Sequence, residues 1–316
     1  MNEPTVVYIV GRGHSGSTML ELLLNRSINV AAMGEIDQLG LQIYRDHRTR
    51  WTGMCSCGQR PFECEVWKQV IAAVKNSFGV DMVADPFEWK LSDIALEQEY
   101  GWQHPMAVAK YRTHRLLRMI ARRVHVTLPP PFPYQKWVSH RDFVARTYAN
   151  VRGVEAVVDA SKDAFQMRDL ATFSELPVKV LYLTRDVRGL AWSSARQRRG
   201  SPAVEARRWV RENRRIMDML DHIDSDRWYH VRYENLSTDV ESELERIHQF
   251  IGVERQAVSP EEERSERHTI AGNRTRLRDL QEIREDRAWQ DHLTADQVKA
   301  VEAIAGDVAR KLGYDI

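Results

Sequence analysis

The chain has 316 residues, enough for one large α/β domain or two small ones, and its 43% hydrophobic and 29% charged residues exclude a fibrous or disordered protein. Its 46 Lys and Arg residues balance 45 Asp and Glu residues, so no overall charge attracts nucleic acid or an anionic membrane. We therefore expect no nucleic-acid partner, and any anion-binding site must be local.

The first predicted element is a buried strand over residues 5–10. This apolar run is too short to span a membrane, and it lacks the basic start and cleavage site of a signal peptide. The three cysteines, Cys55, Cys57 and Cys64, are too few and too clustered for a disulfide framework. These features predict a cytoplasmic protein without a transmembrane segment.

A glycine-rich turn over residues 11–18 joins this strand to a helix-forming run. Glycines let backbone N–H groups come close to a phosphate, and the helix N-terminus adds a partial positive charge. The turn is therefore predicted to hold a phosphate group. Its candidate binding residues are Arg12, Gly13, His14, Ser15, Gly16, Ser17 and Thr18.

The spacing of this turn resembles a P-loop, but Ser17 stands where the lysine is expected. That lysine neutralises the terminal phosphates in nucleotide hydrolysis and kinase chemistry. Its absence argues against an ordinary enzyme that uses ATP or GTP. A P-loop small-molecule kinase remains the alternative, and it would also need a metal-binding carboxylate.

Three later apolar runs predict further strands, at residues 156–159, 178–184 and 228–233. Each leads toward a helix, and each is continuously apolar, which is typical of a parallel sheet covered on both faces. The sequence therefore predicts a P-loop-like, three-layer α/β/α fold with a central parallel sheet. We expect a single domain over residues 1–316, with a substrate-side helical and loop insertion at about residues 34–150.

A second anion site is indicated where the strand at 178–184 ends. Arg185 follows that strand, so its guanidinium can reach a ligand at the carboxyl edge of the sheet, and Ser193 returns to the same helix face two turns later. Together they can hold one phosphate. The alternative is that Arg185 pairs with Asp186 or another carboxylate and that Ser193 is an ordinary helix residue.

These motifs, in this order, resemble the bacterial-type sulfotransferases that use 3′-phosphoadenosine 5′-phosphosulfate. Family members carry a 5′-phosphosulfate loop at the position of residues 11–18 and a 3′-phosphate motif at the positions of Arg185 and Ser193. Residues 158–162 and 231–236 also resemble family segments. The late loop that folds over the 3′-phosphate in the family matches here at Gly272, Asn273 and Arg276. Two departures are His14, where many members have Lys or Arg, and Arg274, where Pro is usual.

The resemblance implies transfer of a sulfonate group from this donor to an acceptor hydroxyl on a small metabolite, lipid or glycan by in-line displacement. No metal is required. Lys162, at a strand's carboxyl end, is predicted to reach the leaving oxygen, although it could instead pair with Asp163. Glu35 is the first candidate for the base, and His14 competes with it. A solvated loop glutamate is the alternative for Glu35.

The cysteines also suggest a metal knuckle. Zinc needs four ligands, and the nearest candidate fourth ligand, His47, has no supporting spacing. We therefore expect Cys55, Cys57 and Cys64 to be free or loosely paired thiols in a substrate-side loop, and no bound metal.

Overall fold

The computed structural model describes residues 3–44, 53–92, 113, 117, 136–198, 200–277 and 287–316. His47 and most of the predicted insertion between residues 93 and 135 lie outside the described residues. Among the described residues, no helix has both the length and the apolar character needed to cross a membrane.

In the described part of the chain, five parallel strands form one sheet in the order β2-β3-β1-β4-β5. The strands are β1 (Thr5–Gly11), β2 (Val30–Gly34), β3 (Ala156–Lys162), β4 (Val178–Thr184) and β5 (Trp228–Arg232). β1 therefore lies at the centre, between β3 and β4. This arrangement confirms the predicted α/β/α fold, and it adds β2, which the sequence did not predict.

Helices cover both faces of the sheet. They are α1 (Ser17–Leu24), α2 (Leu39–Tyr44), α3 (Trp67–Phe78), α4 (Trp137–Arg152), α5 (Ala164–Phe173), α6 (Val187–Arg198), α7 (Pro202–Leu220), α8 (Tyr233–Thr238), α9 (Val240–Ile251), α10 (Pro260–Ser265), α11 (Ala288–His292) and α12 (Ala295–Lys311). Short 3₁₀ helices span Ile36–Gln38, Ser225–Arg227 and Arg274–Leu277. Thr294 and Gln297 form a capping box at the start of α12.

Alternate residues of β1 enter two separate cores. Tyr8 and Val10 pack with α3, α4 and α7, whereas Val7 and Ile9 pack with α1 and α9. Both faces of the strand are thus buried, which explains why its sequence is apolar without alternation.

The topology predicts a ligand-binding crevice at the carboxyl edge of the sheet between β1 and β4. After β1 the chain enters α1 on one face, and after the neighbouring β4 it enters α6 on the other face. Adjacent parallel strands whose helices leave in opposite directions form the usual ligand-binding crevice of open α/β sheets. The loops that follow β1 and β4 therefore meet where a ligand is expected.

The end of β3 is fixed by a buried polar network. Arg141 on α4 binds Asp159 at 2.8 Å, and its guanidinium also donates to Gln166 at 2.6 Å and to the Leu91 carbonyl at 2.7 Å. Asp159 in turn accepts a hydrogen bond from the backbone N–H of Ser161. A paired and hydrogen-bonded charge is tolerated in the interior, and here it sets the exit of β3 toward Lys162.

The end of β2 is held by the distant Ile270. Ile270 donates its N–H to the Met33 carbonyl at 2.9 Å and accepts the N–H of Glu35 at 2.9 Å. Gly34 lies between these partners with a φ of 86°. A Cβ atom on Gly34 would overlap the carbonyl oxygen of Ile270, so only glycine permits this approach.

We expect Gly34→Ala to lower the free energy of unfolding by about 3 kcal/mol or more, because it adds both backbone strain and a clash. Gly153→Ala is the matched control. Gly153 has a φ of 67° but open space where a Cβ would lie, so its cost should be only about 1 kcal/mol. Urea denaturation measures both variants, and equal losses would contradict the proposed role of the close approach.

Candidate functional site

The turn after β1 has the shape of an anion cradle. Gly16 precedes α1 with a φ of 97°, and a Cβ there would lie 2.8 Å from the ring of Tyr233. Ser17 and Thr18 begin α1 and are buried. The Ser15 hydroxyl oxygen is buried and has no hydrogen-bond partner within the described residues. An orphaned hydroxyl beside a helix N-terminus fits a site that receives an anion.

Arg12 turns away from this cradle. Its guanidinium binds Glu205 on α7, and Nη1 lies 3.1 Å from Glu212 Oε2 on the same helix. Only 3% of the Arg12 side chain is exposed. These ion pairs hold the turn against α7, so Arg12 supports the cradle from behind, and its contact with an anion stays a prediction.

Arg185 lies directly beside the cradle. Its Nη1 donates to the His14 carbonyl at 2.9 Å, and its guanidinium stacks over the Tyr233 ring with the carbon 4.5 Å from the centroid. The sequence also allowed a pairing of Asp186 with Arg185. In the structure, Asp186 binds Arg188 at 2.7 Å. The two predicted anion sites are therefore neighbours, and Tyr233 touches both Gly16 and Arg185.

Ser193 lies on α6, where it is half-buried. The adjacent Ser194 is fully buried, and its hydroxyl has no partner among the residues that the structure describes. The helix that follows Arg185 thus carries two neighbouring hydroxyls, and the sequence nominated that of Ser193.

The predicted base and the predicted leaving-group cation form an ion pair. Lys162 Nζ binds Glu35 Oε1, and these side chains are 20% and 13% exposed. Gln38 Nε2 donates to the other carboxylate oxygen of Glu35 at 2.5 Å. Asp163, the alternative partner of Lys162, instead caps α5 by accepting N–H groups of that helix. Glu35 is therefore a positioned residue at the site and not a solvated loop glutamate.

The predicted late loop closes over these groups. The Asn273 N–H lies 3.3 Å from the Thr18 hydroxyl oxygen, and a Cβ on Gly272 would lie 3.5 Å from both Thr18 Oγ1 and Glu35 Oε1. Arg276 is different, because its guanidinium is buried and donates to the carbonyls of Thr269 and Met54. Arg276 thus braces the loop, and its predicted contact with a phosphate stays a prediction.

Backbone strain is concentrated in the same loops. In the described part of the chain, three residues other than glycine have a positive φ, namely His14 at 75°, Lys162 at 70° and Ala271 at 56°. Each such residue costs roughly 1–3 kcal/mol, and this strain clusters at functional sites. All three lie in segments that border the cradle or the Glu35–Lys162 pair.

Two acids near the site, the buried Glu21 and the half-buried Asp37, were missed from the sequence. Burial raises the pKa of Glu21 to about 8, Lys162 lowers it and Glu35 raises it by smaller amounts. Burial likewise raises the pKa of Asp37 to about 7, against the lowering effect of Arg141. The only sequence clue to Glu21 was the presence of a charged residue within the apolar run at residues 19–24. Both acids limit the negative charge that can accumulate beside an incoming anion at neutral pH.

Comparison with known proteins identifies relatives. A family model described as "Sulfotransferase family" matches residues 4–257. Among solved structures, the sulfotransferase domain from the curacin biosynthetic pathway is 15% identical, with 100% of both chains covered and a TM-score of 0.50. This likeness supports a shared fold. No curated protein matches the chain.

Two further solved structures are similar at lower scores. The sulfotransferase domain of the Synechococcus PCC 7002 olefin synthase is 18% identical, with 100% of this chain and 97% of that chain covered and a TM-score of 0.49. A sulfotransferase from Mycobacterium avium is 12% identical, with 100% of this chain and 78% of that chain covered and a TM-score of 0.48.

The raised pKa of Glu21 predicts a pH-dependent stability. The neutral carboxyl is favoured in the folded chain, so its contribution to stability is fully present below pH 4.5 and is lost as pH rises toward 8. We expect Glu21→Gln, which stays neutral, to gain roughly 3 kcal/mol over the parent chain between about pH 5.5 and about pH 8.5. Urea denaturation at both pH values measures this difference.

Glu88→Gln is the control for that measurement, because the Glu88 side chain is exposed. Its stability difference from the parent chain should stay constant with pH. A Glu21→Gln difference that is also constant would show that the Glu21 carboxylate is not desolvated.

Proposed function

The chain belongs to the sulfotransferase family, and on that basis we propose that it transfers a sulfonate group from 3′-phosphoadenosine 5′-phosphosulfate to a hydroxyl of a small-molecule, lipid or glycan acceptor. One observation carries this proposal: Arg185 Nη1 lies 2.9 Å from the His14 carbonyl, so the two predicted anion sites adjoin between the loops that follow β1 and β4. The donor carries phosphate at both ends of its adenosine, and adjoining sites suit it.

The cradle would bind the 5′-phosphosulfate through loop N–H groups and the hydroxyls of Ser15, Ser17 and Thr18. Arg185 would bind the 3′-phosphate, with a hydroxyl of α6 beside it. Tyr233 supports this division, because its ring lies against both Gly16 and the Arg185 guanidinium. Ser17 in place of the P-loop lysine favours this donor over a nucleoside triphosphate.

Sulfonate transfer is an in-line displacement in which the acceptor oxygen attacks sulfur and the bridging oxygen departs with the 5′-phosphate. Glu35 would accept the proton of the acceptor hydroxyl, and Lys162 would stabilise the charge that develops on the departing oxygen. The ion pair between Glu35 and Lys162 supports this assignment, because it keeps the carboxylate and the ammonium group together close to Thr18. Gln38 orients the Glu35 carboxylate by donating to its second oxygen.

We also propose that the protein is cytoplasmic. Cys55, Cys57 and Cys64 form no disulfide, which is the state expected in a reducing compartment.

Donor binding predicts a stabilisation that ATP should not reproduce. Adenosine 3′,5′-bisphosphate, without magnesium, should raise the melting temperature by about 5 °C at a concentration about 100-fold above its Kd. Arg185→Ala should weaken this binding roughly 10- to 100-fold, because it removes a charge-assisted contact with phosphate. Thermal unfolding and titration calorimetry measure both effects.

Arg211→Ala is the matched control, since Arg211 is exposed on α7 and its loss should leave the affinity unchanged. Stronger stabilisation by ATP with magnesium than by the bisphosphate would favour the kinase alternative. Unchanged affinity in Arg185→Ala would remove Arg185 from the donor site.

The assignment of the base predicts a loss of turnover without a loss of donor binding. Glu35→Gln keeps an acceptor for Gln38 but cannot take a proton, so transfer of radiolabelled sulfonate to acceptors in a cell extract should fall roughly 10²- to 10⁴-fold. The stabilisation by adenosine 3′,5′-bisphosphate should remain within about twofold in affinity.

Glu65→Gln serves as the control, because the Glu65 side chain is exposed and pairs with Lys68 at the surface. Turnover of Glu35→Gln within about tenfold of the parent chain would exclude Glu35 as the base. A large loss in His14→Asn under those conditions would assign that role to His14.

A further inference from the structure

The three cysteines meet a histidine that is distant in sequence. One ligand atom from each of Cys55, Cys57, Cys64 and His268 lies within 4.8 Å of all the others. Cys64 Sγ lies 3.6 Å from Cys55 Sγ and 3.1 Å from His268 Nδ1, and Cys55 Sγ lies 4.0 Å from the same nitrogen. His268 thus occupies the place for which the sequence offered only His47.

These distances are those of a small tetrahedron. Zn²⁺ bound to thiolates at about 2.3 Å and to an imidazole at about 2.0 Å gives S–S edges of about 3.8 Å and S–N edges of about 3.5 Å. The separations of 3.6 Å between the two sulfur atoms and of 3.1 and 4.0 Å from sulfur to nitrogen scatter around these edges. A disulfide would instead bring two sulfur atoms to about 2.05 Å, and it would leave the third thiol and the imidazole unexplained.

The surrounding backbone holds the four groups in place. The turn after Cys55 is closed by the Gly58 N–H, which donates to the Cys55 carbonyl at 3.0 Å, and Gly58 has a φ of 87°. On the other side, Trp67 Nε1 donates to the His268 carbonyl at 2.6 Å. Cys55 and Cys64 are fully buried, whereas Cys57 is exposed at the rim. Such a site is preorganised and is closed to solvent on one side.

A compensating charge lies nearby. A zinc ion with three thiolates and a neutral imidazole carries one net negative charge, and a buried net charge needs a partner. The buried guanidinium of Arg276 donates to the carbonyl of Met54, the residue that precedes Cys55. Arg276 therefore supplies a positive charge next to the cluster, and its guanidinium also donates to the carbonyl of Thr269.

We propose that Cys55, Cys57, Cys64 and His268 bind one structural Zn²⁺ ion, in place of the free thiols that the sequence favoured. The donor set of three thiolates and one imidazole selects zinc over hard cations such as Mg²⁺ or Ca²⁺. Binding releases the protons of the three thiols, and the ion undergoes no redox step.

The ion is structural because four protein ligands complete its coordination and leave no position for a substrate. It joins the cysteine turn at residues 53–64 to the late segment at residues 266–277. Ile270, two residues beyond His268, binds Met33 and Glu35 through its backbone. The ion thereby fixes the segment that carries Gly272 and Asn273 to the candidate site. This inference does not depend on which donor or acceptor the enzyme uses.

The full-length chain, expressed with zinc in the medium and freed of any histidine tag, tests the proposal. Elemental analysis should find about one zinc ion per chain, and X-ray absorption should find three sulfur neighbours at about 2.3 Å and one nitrogen at about 2.0 Å. Co²⁺ added to metal-depleted protein should give the intense visible bands of a tetrahedral thiolate site.

Substitutions distinguish a residue that coordinates the metal from one that only packs beside the site. His268→Cys should keep the ion and raise the number of sulfur neighbours to four, whereas the same change at the exposed His222 should leave it at three. Cys57→Ser should lower zinc retention at least about tenfold during dialysis against a chelator. Because Cys57 is exposed, this change should leave the fold intact.

Less than about one tenth of a zinc ion per chain, together with no uptake of Co²⁺, would overturn the proposal. A disulfide between Cys55 and Cys64 in freshly purified protein, detected by mass spectrometry, would also overturn it.

Discussion

Ile270 is the residue on which the geometry of this site depends, because its backbone pairs with two separate parts of the chain. It forms a parallel bridge with Gly34 at the end of β2 and an antiparallel bridge with Cys55. The first bridge sets the position of Glu35, and the second joins the cysteine turn to the late segment. A small change at Ile270 would therefore move the proposed base, the loop over Thr18 and the zinc ligands together.

The charges at the site are balanced around an incoming polyanion. Lys162 offsets Glu35, and the raised pKa values of Glu21 and Asp37 keep part of the nearby acid neutral close to pH 7. Arg12 contributes little positive charge to the cradle, because Glu205 and Glu212 neutralise it. Under the proposed function, attraction for the donor would come chiefly from loop N–H groups, the N-terminus of α1 and Arg185. Such a site would bind phosphate through geometry more than through net charge.

The sequence predicted the features of the fold that depend on local residue patterns. Apolar runs located β1, β3, β4 and β5, with β4 at its observed bounds, and the strand-turn-helix pattern located the cradle. β2 was missed because its run, Val-Ala-Ala-Met-Gly, is short and rich in residues with low β propensity, and only its pairing with β3 defines it. Arg12 and Arg276 were nominated by position in a motif, but a motif cannot show the direction of a long side chain. In the structure Arg12 binds Glu205 and Glu212 on α7. Arg276 donates to the carbonyls of Thr269 and Met54.

The cysteine site shows most clearly why spacing alone fails. Cys64 and His268 are 204 residues apart, so no local pattern could join them. That separation is also what makes a metal link effective. The late segment near His268 has little regular structure of its own, and ordering it costs conformational entropy that a few bridge hydrogen bonds offset only in part.

An ion that binds only the folded chain stabilises that chain by its free energy of binding. Here the stabilised part is the late segment that carries His268. The donor side can then keep strained residues such as Lys162 and Ala271, because the segment beside them is anchored from outside the sheet. The zinc ligands and the strained loops are therefore structurally linked. The ion makes the late segment rigid at the cysteine turn, and this rigidity holds Gly272 and Asn273 over the cradle.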